Sequence, residues 1–244
     1  MDRYALIVAG GAGRRMGSAI PKQFLELAGK PVLMRTAERF YAFDPSIRII
    51  IVLPRDQFAY WNELIILHSF NLKHLLAEGG SSRFESVRNG LTLVEDESLV
   101  AIHDGVRPLV SSATIGNCFE AAAEYGNAIP SVNPADSVRM VTGAGNMPVN
   151  RQFLRLIQTP QVFNSRLIRR AYTTEFNPEF TDDAMVLERT GEEIRLVEKK
   201  HSHAEPASHV LVRVRRTDPH PRAPDARALP IRFENVVHEL VYRR

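Results

Sequence analysis

The hydrophobic residues of the chain form two alternating patterns: short continuous apolar runs, and longer stretches with a helical period. The run RIIIVL at residues 48–53 is of the first kind and is rich in β-branched residues. Strands that are apolar on both faces are typical of a parallel sheet covered by helices. The runs predict strands at residues 4–9, 48–53, 73–77, 99–103, 128–132 and 194–197.

The stretches between these runs predict helices, some of which carry capping residues. The predicted helices lie at residues 32–43, 55–67, 84–94, 114–125, 165–174 and 181–190. Either Ser111 or Ser112 would cap the fourth of them, and Thr181 would cap the last, which Gly191 would terminate. The repeated strand–helix alternation predicts an α/β fold with a doubly wound, mostly parallel sheet.

Residues 133–157 interrupt this alternation and are too polar to form an element of the core. They predict a projecting β-arm, a hairpin that turns at residues 143–146 and returns through residues 152–157. Because such a hairpin has no core of its own to bury, we expect it to gain order against a second copy of the chain. The arm therefore predicts a two-fold homodimer.

The composition excludes several classes of protein. At 244 residues, 44% hydrophobic and 24% charged, the chain is typical of one soluble globular domain or two small ones. Its single cysteine, Cys118, cannot form an internal disulfide or a cysteine-based zinc site, as expected in a reducing cytoplasm. No apolar run approaches the roughly 20 residues of a membrane span, and the N-terminus lacks the apolar stretch of a signal peptide. We expect a cytoplasmic protein without a membrane partner.

The net charge of +3 is unevenly distributed along the chain. Residues 199–244 hold ten Lys and Arg against five Asp and Glu, so the preceding 198 residues carry about −2. The basic character therefore belongs to a tail rich in proline and histidine, and it does not predict a nucleic-acid partner for the main body. We expect one domain at residues 1–198, followed by an atypical tail at residues 199–244.

A glycine-rich loop follows the first predicted strand, with the sequence AGGAGRRMG at residues 9–17. It does not fit the dinucleotide fingerprint, because Met16 stands where the third glycine belongs, and it lacks the Gly-Lys-Ser/Thr ending of a P-loop. What remains is a loop whose backbone amides, with Arg14, Arg15 and Lys22, would suit a polyphosphate. The alternative is a tight turn with solvated basic residues.

Other loops that follow predicted strands have compatible compositions. The loop at residues 78–83 has mostly small side chains before Arg83, which suits the approach of a flat base or a ribose. The loop at residues 104–108 pairs Asp104 with Arg107. Each of these features alone would fit a surface ion pair or a simple strand end. Their convergence on one sheet edge favours a ligand site. Since no hydrolase motif is present, phosphate transfer that needs no activated nucleophile fits better.

Six sequence blocks in this order and spacing resemble the 2-C-methyl-D-erythritol 4-phosphate cytidylyltransferases, over about residues 3–198. The blocks are A-G-G-x-G-x-R-M at 9–16, P-K-Q-F at 21–24, G-G-x-x-R-x-x-S-V at 79–87, H-D-x-x-R-P at 103–108, T-P-Q at 159–161 and T-D-D-A at 181–184. The resemblance implies a Rossmann-like nucleotidyltransferase fold, CTP-dependent transfer in isoprenoid precursor biosynthesis, and a homodimer with exchanged arms. Ribitol-5-phosphate cytidylyltransferases share most of these blocks and remain an alternative, as does an inactive nucleotide-binding homologue.

The resemblance also implies roles for individual residues. Arg15 and Lys22 match the catalytic cations that stabilise the α-phosphate as pyrophosphate departs. The positions that match the cytidine and triphosphate site are Ala9, Gly10, Gly11, Gly80, Arg83 and Ser86. The positions that match the acceptor side are Asp104, Arg107, Thr159 and, in the arm, Asp136, Ser137 and Arg151. Mg²⁺ would be held mainly by the CTP phosphates, with Asp104 as the candidate protein ligand.

The sequence departs from the family pattern after Glu198. The family continues with an Asn-x-Lys-x-Thr-x-x-Asp-Leu pattern, which forms a last strand and helix, and this chain lacks it. Five prolines and no lysine after Lys200 characterise the tail that stands there instead. We expect that a shift of reading frame replaced the family ending, the alternative being a natural basic extension.

Overall fold

The computed structural model of the chain describes residues 1–10 and 20–198, and its centre is an eight-stranded sheet. The strands of this sheet are β1 (Arg3–Val8), β4 (Arg48–Leu53), β5 (His74–Glu78), β6 (Leu99–Asp104), β7 (Asn127–Val132), β10 (Leu156–Ile157), β11 (Gln161–Asn164) and β12 (Leu196–Glu198). Two short pairs lie outside it: β2 (Glu26–Leu27) with β3 (Lys30–Pro31), and β8 (Val138–Thr142) with β9 (Gly145–Val149).

The main sheet runs in the order β5, β4, β1, β6, β11, β7 and is mostly parallel. Strands β5, β4, β1 and β6 pair in parallel, while β11 is antiparallel to both β6 and β7. Val8, at the end of β1, lies opposite Val52 of β4 and Asp104 of β6. The loops that follow these three strands therefore leave the sheet at the same edge.

Helices cover both faces of the sheet because successive strand residues point to opposite sides. One face packs against α1 (Val32–Phe43), α2 (Phe58–Leu67) and α4 (Ser112–Tyr125). The other packs against α3 (Arg83–Leu91), α5 (Ser165–Ala171) and α6 (Asp183–Glu188). Along β1, for example, Ala5 and Ile7 belong to the first core, and Tyr4 and Leu6 to the second. The predicted doubly wound α/β fold is confirmed.

Of the two helix caps predicted from the sequence, the cap of α4 is confirmed and the cap of α6 is not. Ser111 caps α4, its hydroxyl accepting a hydrogen bond from the Thr114 amide at 3.1 Å. The prediction that Thr181 caps the last helix is wrong, since the Asp182 carboxylate accepts from the Met185 amide at 3.0 Å. Aspartate is as good an N-cap as threonine, and here it is the residue nearer to the helix.

Strand β11 was not predicted from the sequence. Its four residues, QVFN, are too short to show a strand pattern, and two of them are polar. The strand forms because it lies between β6 and β7 and pairs with both. Its place in the sheet, rather than its own pattern, decides its conformation.

The arm is a two-stranded hairpin of β8 and β9, in which Thr142 lies opposite Gly145. The prediction that it returns through residues 152–157 is wrong. The return strand is β9, and the chain then makes a 3₁₀ turn at Arg151–Phe153 before β10 pairs with β7. Val141 and Phe153 are 80% and 84% exposed, so the arm and the turn after it present apolar side chains to solvent.

Two further expectations from the sequence concern the tail and a membrane span. The predicted tail at residues 199–244, with its proposed shift of reading frame, lies outside them. Within residues 1–10 and 20–198, none of the helices has the length and apolar character that a membrane span requires.

The packing of α3 on the sheet leads to a prediction about Gly90. A Cβ atom there would lie 2.4 Å from Cδ1 of Leu6 and 3.0 Å from Cγ2 of Val52, both in the core. Overpacking should outweigh the better helix propensity of alanine, so Gly90→Ala should lower the free energy of unfolding by about 1 to 2 kcal/mol. Urea unfolding measures this. Gly143→Ala in the arm, with no heavy atom within 4 Å of the added Cβ, is the control and should be near neutral; equal midpoints would contradict the prediction.

Candidate active site

A polar cleft of about 260 Å³ opens where β6 and the segment before β11 meet the start of α6. Its walls carry two arginines, two aspartates and several uncharged polar groups. The residues that line it are Arg83, Asp104, Arg107, Ile157, Gln158, Thr159, Gln161, Thr181 and Asp182. The cleft therefore joins the loops that follow two of the predicted strands, those at residues 73–77 and 99–103, with the segment before β11 and the start of α6.

Arg83 forms the strongest ion pair at this cleft. Its Nη1 and Nη2 donate to Oδ1 and Oδ2 of Asp183 at 2.7 and 2.6 Å, a bidentate geometry. Asp183 is fully buried, and Tyr172 adds a third donor, its hydroxyl bonding to Oδ1 at 2.6 Å. Since Arg83 begins α3 and Asp183 begins α6, this pair joins two helices that are distant in sequence.

The electrostatics of this cluster keep Arg83 charged and Tyr172 neutral. Burial by itself would lower the pKa of Arg83, but the attraction of Asp183 outweighs it, and the net shift is upward. Burial, reinforced by the charge of Asp183, raises the pKa of Tyr172 well above its usual range. The guanidinium therefore carries a permanent positive charge. About a third of the Arg83 side chain (34%) is exposed to solvent.

Asp104 stands between the two arginines of the cleft. Its Oδ2 accepts from Nε of Arg107 at 2.7 Å, and its Oδ1 lies 3.8 Å from Nε of Arg83. Arg107 also donates from Nη1 to Oε1 of Gln158 at 3.2 Å. The carboxylate thus orients Arg107 toward the cleft while partly balancing the positive charge of both guanidinium groups.

His103 is buried directly behind this loop and supports it. Its Nε2 lies 3.0 Å from the carbonyl oxygen of Arg107, and its ring packs edge-on against Phe40. Burial lowers the pKa of His103 to about 4, so the ring is neutral at physiological pH. A neutral imidazole then donates from Nε2 to the Arg107 carbonyl, which holds the loop in place.

Thr159 supplies an uncommitted polar atom to the cleft. Its Oγ1 is buried and has no hydrogen-bond partner within the described residues. Buried hydroxyl groups are normally paired, so an unpaired one on a residue that lines a cleft is a candidate contact for a ligand. Thr159 is one of the residues that the sequence placed at the acceptor side.

The floor of the cleft is fixed by Gln161, which is buried. Its Nε2 donates to Oδ2 of Asp182 at 3.0 Å, and its Oε1 accepts from the amide of Ala184 at 2.9 Å. The side chain therefore ties β11 to the first turn of α6. Neither Gln161 nor Gln158 had a role predicted from the sequence. Gln161 stands in the block T-P-Q, whereas Gln158 lies where no strand or helix pattern was visible.

Gly10 and Gly80, two of the glycine residues predicted to line a nucleotide site, lie beside the start of α3. The hydroxyl of Ser86 accepts from the amide of Gly80 at 3.1 Å and donates to the Ser82 carbonyl at 2.8 Å. A Cβ atom on Gly10 would lie 3.0 Å from this hydroxyl, and one on Gly80 only 2.3 Å from Cβ of Glu85. These two positions require glycine because the backbone passes so close to α3.

The two residues predicted as catalytic cations differ in what the structure describes. Lys22 lies in the 3₁₀ turn Lys22–Phe24 and is exposed. Arg15 and Gly11 lie outside the described residues. Ala9 is described, and it continues β1 with a hydrogen bond from its amide to the Val52 carbonyl at 2.9 Å.

The three arm residues lie outside this cleft. Asp136, Ser137 and Arg151 are exposed, and an Nη1 donor of Arg151 bonds to the carbonyl of Ala135 within the same arm. The chain by itself therefore does not bring them to Arg83 and Arg107. They join the site only if the arm meets another copy of the protein.

The acidic residues fit a metal ion that is bound through a ligand, not one that the protein holds alone. Among the described residues, no group of three or more His, Cys, Asp or Glu side chains could hold a metal. Asp104 offers a single carboxylate at the cleft, already engaged with Arg107. One carboxylate plus phosphate oxygens is a common way to bind Mg²⁺, so the residues fit Mg²⁺ that arrives with a nucleotide.

The sequence carries a signal for two further residues of the cleft region. Asp182 and Asp183 stand in the block T-D-D-A, although the sequence alone does not show what either carboxylate does. Nothing along the chain shows that Tyr172 and Asp183 meet, because the contact depends on how α5 and α6 pack.

Comparison with known proteins gives a consistent result. The family model described as 2-C-methyl-D-erythritol 4-phosphate cytidylyltransferase (IspD) matches residues 4–204. A protein of that name from Bacteroides fragilis is 53% identical over 198 residues, which are 81% of this chain and 90% of the relative. Another from Phocaeicola vulgatus is 52% identical over 198 residues, with coverage of 81% and 90%.

The fold gives the same result. The crystal structure of a 4-diphosphocytidyl-2C-methyl-D-erythritol synthase from Anaerococcus prevotii is similar, with a TM-score of 0.70 and 26% sequence identity. The similarity covers 84% of this chain and 90% of that one. The match therefore extends over most of both chains.

The ion pair between Arg83 and Asp183 leads to a second prediction. Asp183→Asn keeps the shape but removes the buried negative charge. We expect the free energy of unfolding to fall by about 2 to 4 kcal/mol, somewhat less than for a fully buried pair because Arg83 reaches solvent. The matched control is Asp182→Asn, since asparagine caps a helix as well as aspartate and only the bond from Gln161 is lost, at about 1 kcal/mol. Equal losses in chemical denaturation would contradict a special role for Asp183.

Proposed function

Because the chain belongs to the 2-C-methyl-D-erythritol 4-phosphate cytidylyltransferase (IspD) family, we propose that its cleft transfers the cytidylyl group of CTP to 2-C-methyl-D-erythritol 4-phosphate. The products are 4-diphosphocytidyl-2-C-methyl-D-erythritol and pyrophosphate, and the pathway is isoprenoid precursor biosynthesis. The observation that carries the proposal is the meeting of Arg83, Arg107 and the free Thr159 hydroxyl in one cleft. Gly80, beside the start of α3, shortly precedes Arg83 of this cleft in the chain.

The reaction needs alignment and charge neutralisation more than a base. An oxygen of the acceptor phosphate attacks the α-phosphorus of CTP and forms a new P–O–P linkage. The bond from that phosphorus to the bridging oxygen breaks, and pyrophosphate leaves with the electron pair. A phosphate monoester is already largely dianionic at neutral pH, since its second pKa is about 6, so no proton must be removed from the nucleophile.

Lys22 and Arg15 are the residues we assign to the developing charge. Lys22 is exposed on its 3₁₀ turn, and no acidic side chain of the described residues pairs with it. A free ammonium gives its full charge to a leaving pyrophosphate. We assign Arg15 the same task, as the resemblance to the family implies.

The glycine side of the site is assigned to the nucleotide. We assign Ala9, Gly10, Gly11 and Gly80 to the lining of the base and triphosphate site, as the resemblance implies. The buried hydroxyl of Ser86 holds the Gly80 amide close to α3, and a side chain on Gly10 would meet the same hydroxyl. Its role is therefore to shape the nucleotide pocket. Arg83, the first residue of α3, would present its charge toward the phosphates.

The cleft side is assigned to the acceptor. Arg107, oriented by Asp104, and the Thr159 hydroxyl would bind the phosphate and hydroxyl groups of methylerythritol phosphate. When bound, Mg²⁺ would neutralise phosphate charge, and Asp104 is the residue that would contact it. Positioning both substrates in one cleft supplies much of the rate by converting their encounter to an intramolecular step.

The arm completes the site in our proposal, through a two-fold homodimer. Its strands expose apolar side chains such as Val141, which suits a partner surface. Exchange of arms would carry Asp136, Ser137 and Arg151 to the acceptor side of the partner's cleft. We place the enzyme in the cytoplasm, with small-molecule substrates and no nucleic-acid or membrane partner.

The assay that tests the function measures CTP-dependent release of pyrophosphate by the purified chain. Methylerythritol phosphate and ribitol 5-phosphate are supplied in separate reactions. We expect turnover with the first. Exclusive turnover of ribitol 5-phosphate would identify the alternative cytidylyltransferase, and calorimetric binding of CTP without turnover would identify an inactive homologue.

Lys22 provides the third prediction. Lys22→Ala should lower kcat by at least about 10² to 10³ while the fold is kept, because the charge matters most in the transition state. We expect the same of Arg15→Ala. The matched control is Lys73→Ala, an exposed lysine at the opposite end of the sheet, which should leave kcat unchanged. A near-normal kcat in folded Lys22→Ala would refute the assignment.

The arm provides the fourth prediction. If Arg151 crosses to the partner's site, Arg151→Ala should raise KM for methylerythritol phosphate by about tenfold and leave the affinity for CTP nearly unchanged. Arg139→Ala is the control, since that arginine bonds to Asn146 within the same hairpin. Sedimentation should show a dimer. A monomer, or equal losses for both substrates, would count against the arm exchange.

A further inference from the structure

The turn that carries Lys22 is held by an unusual polar side chain, that of Gln23. This residue is only 1% exposed, although it lies in a turn of three residues. Its Nε2 donates to the Ala9 carbonyl at 3.0 Å and to Oε1 of Gln57 at 2.7 Å. One amide nitrogen therefore joins three segments that are far apart in the sequence.

The bond to Ala9 falls where β1 gives way to the glycine-rich segment. The amide of Ala9 is still held by the sheet, through the Val52 carbonyl, and its own carbonyl is held by Gln23. In a trans peptide the carbonyl and the following N–H point in opposite directions. By fixing the Ala9 carbonyl, Gln23 also fixes where the N–H of Gly10 points, away from the protein segment that carries Gln23.

A second anchor on the same turn is apolar. Phe24 is buried and contacts Tyr60 edge-on at 5.1 Å and Trp61 in a stacked arrangement at 6.2 Å. Trp61 is in turn held by a hydrogen bond from its Nε1 to Nε2 of His74 at 3.0 Å. Phe24 thus holds the turn against α2, and the hydrogen bond of Gln23 connects the turn to the end of β1.

Gln57 receives the second hydrogen bond and belongs to a different part of the fold. It ends the 3₁₀ turn Arg55–Gln57 that follows β4 and leads into α2. Replacing Gln57 would remove one of the two acceptors of Gln23 and leave the hydrogen bond to Ala9 intact. A change at Gln57 therefore tests the two hydrogen bonds of Gln23 separately.

We propose that Gln23 is a positioning residue for cytidylyl transfer. Its amide sets the distance and orientation of Lys22 relative to the start of the nucleotide segment at Ala9 and Gly10. The triphosphate would lie between these two elements, so their relative placement decides whether the ammonium meets the departing pyrophosphate. The proposal rests on the proposed function, since it assigns Gln23 to the same reaction.

The test compares three variants at this position and its neighbour. Gln23→Met keeps the length of the side chain and removes both hydrogen bonds, Gln23→Glu keeps the shape but as a carboxylate cannot donate, and Gln57→Met removes one bond only. We expect Gln23→Met to lower kcat by about tenfold or more, with KM for methylerythritol phosphate within about twofold of the wild type. Gln57→Met should stay within about twofold in both constants.

A pH series separates positioning from simple loss of structure. The neutral oxygens of Ala9 and Gln57 face the side chain at this position, so burial should raise the pKa of the carboxyl group introduced by Gln23→Glu. When protonated, that carboxyl regains a donor. The activity of Gln23→Glu relative to the wild type should therefore rise as the pH falls, whereas the relative activity of Gln23→Met should stay constant.

Hydrogen exchange gives a readout that needs no substrate. In Gln23→Met the amides of residues 9–10 and 22–25 should exchange faster, with no change in β5, and Gln57→Met should leave residues 9–10 unaffected. Normal kcat or normal exchange in folded Gln23→Met would overturn the proposal, as would losses shared equally by Gln57→Met. Absence of turnover in the wild type would instead overturn the proposed function. Hydrogen exchange would still test Gln23 in that case, because unchanged exchange at residues 9–10 in Gln23→Met would overturn its positioning role.

Discussion

The buried carboxylate of Asp183 is the point on which the arrangement of the cleft depends. It receives both terminal nitrogens of Arg83 and the hydroxyl of Tyr172, all within 2.7 Å. A charge buried this deeply is tolerated only when its partners are in place, so α3, α5 and α6 must adopt fixed relative positions. That requirement brings the loop before α3, which carries Gly80, next to the cleft at the start of α6.

The parallel sheet supplies the other constraint. Val8, Val52 and Asp104 lie side by side in neighbouring strands, so the segments that follow them emerge together. Inserted between β6 and β7, the antiparallel β11 brings Thr159 and Gln161 to the same edge. The site is therefore assembled from four separated stretches of chain, each positioned by hydrogen bonds of the sheet rather than by contacts with its neighbours in sequence.

The charges of the site fit a reaction between anions. Arg83 and Arg107 are each balanced by an aspartate behind or beside them, which orients the guanidinium groups without cancelling their charge at the cleft. Lys22 stands on its own short turn, which buried Gln23 and Phe24 anchor to the rest of the fold. In such a site the protein contributes fixed positive charge and fixed distances, which are the main requirements of phosphoryl and nucleotidyl transfer.

The sequence by itself determined the α/β class, most of the strands and helices, and the loops that carry Arg83, Asp104, Arg107 and Lys22. It could do so because hydrophobic period and glycine-rich turns are local properties of the chain. Only the tertiary structure decided the strand β11, the cap at Asp182, and the contacts of Gln23 with Ala9 and of Asp183 with Arg83. These depend on residues brought together from distant positions, since a polar side chain carries no mark of its partner until the sheet and helices have packed.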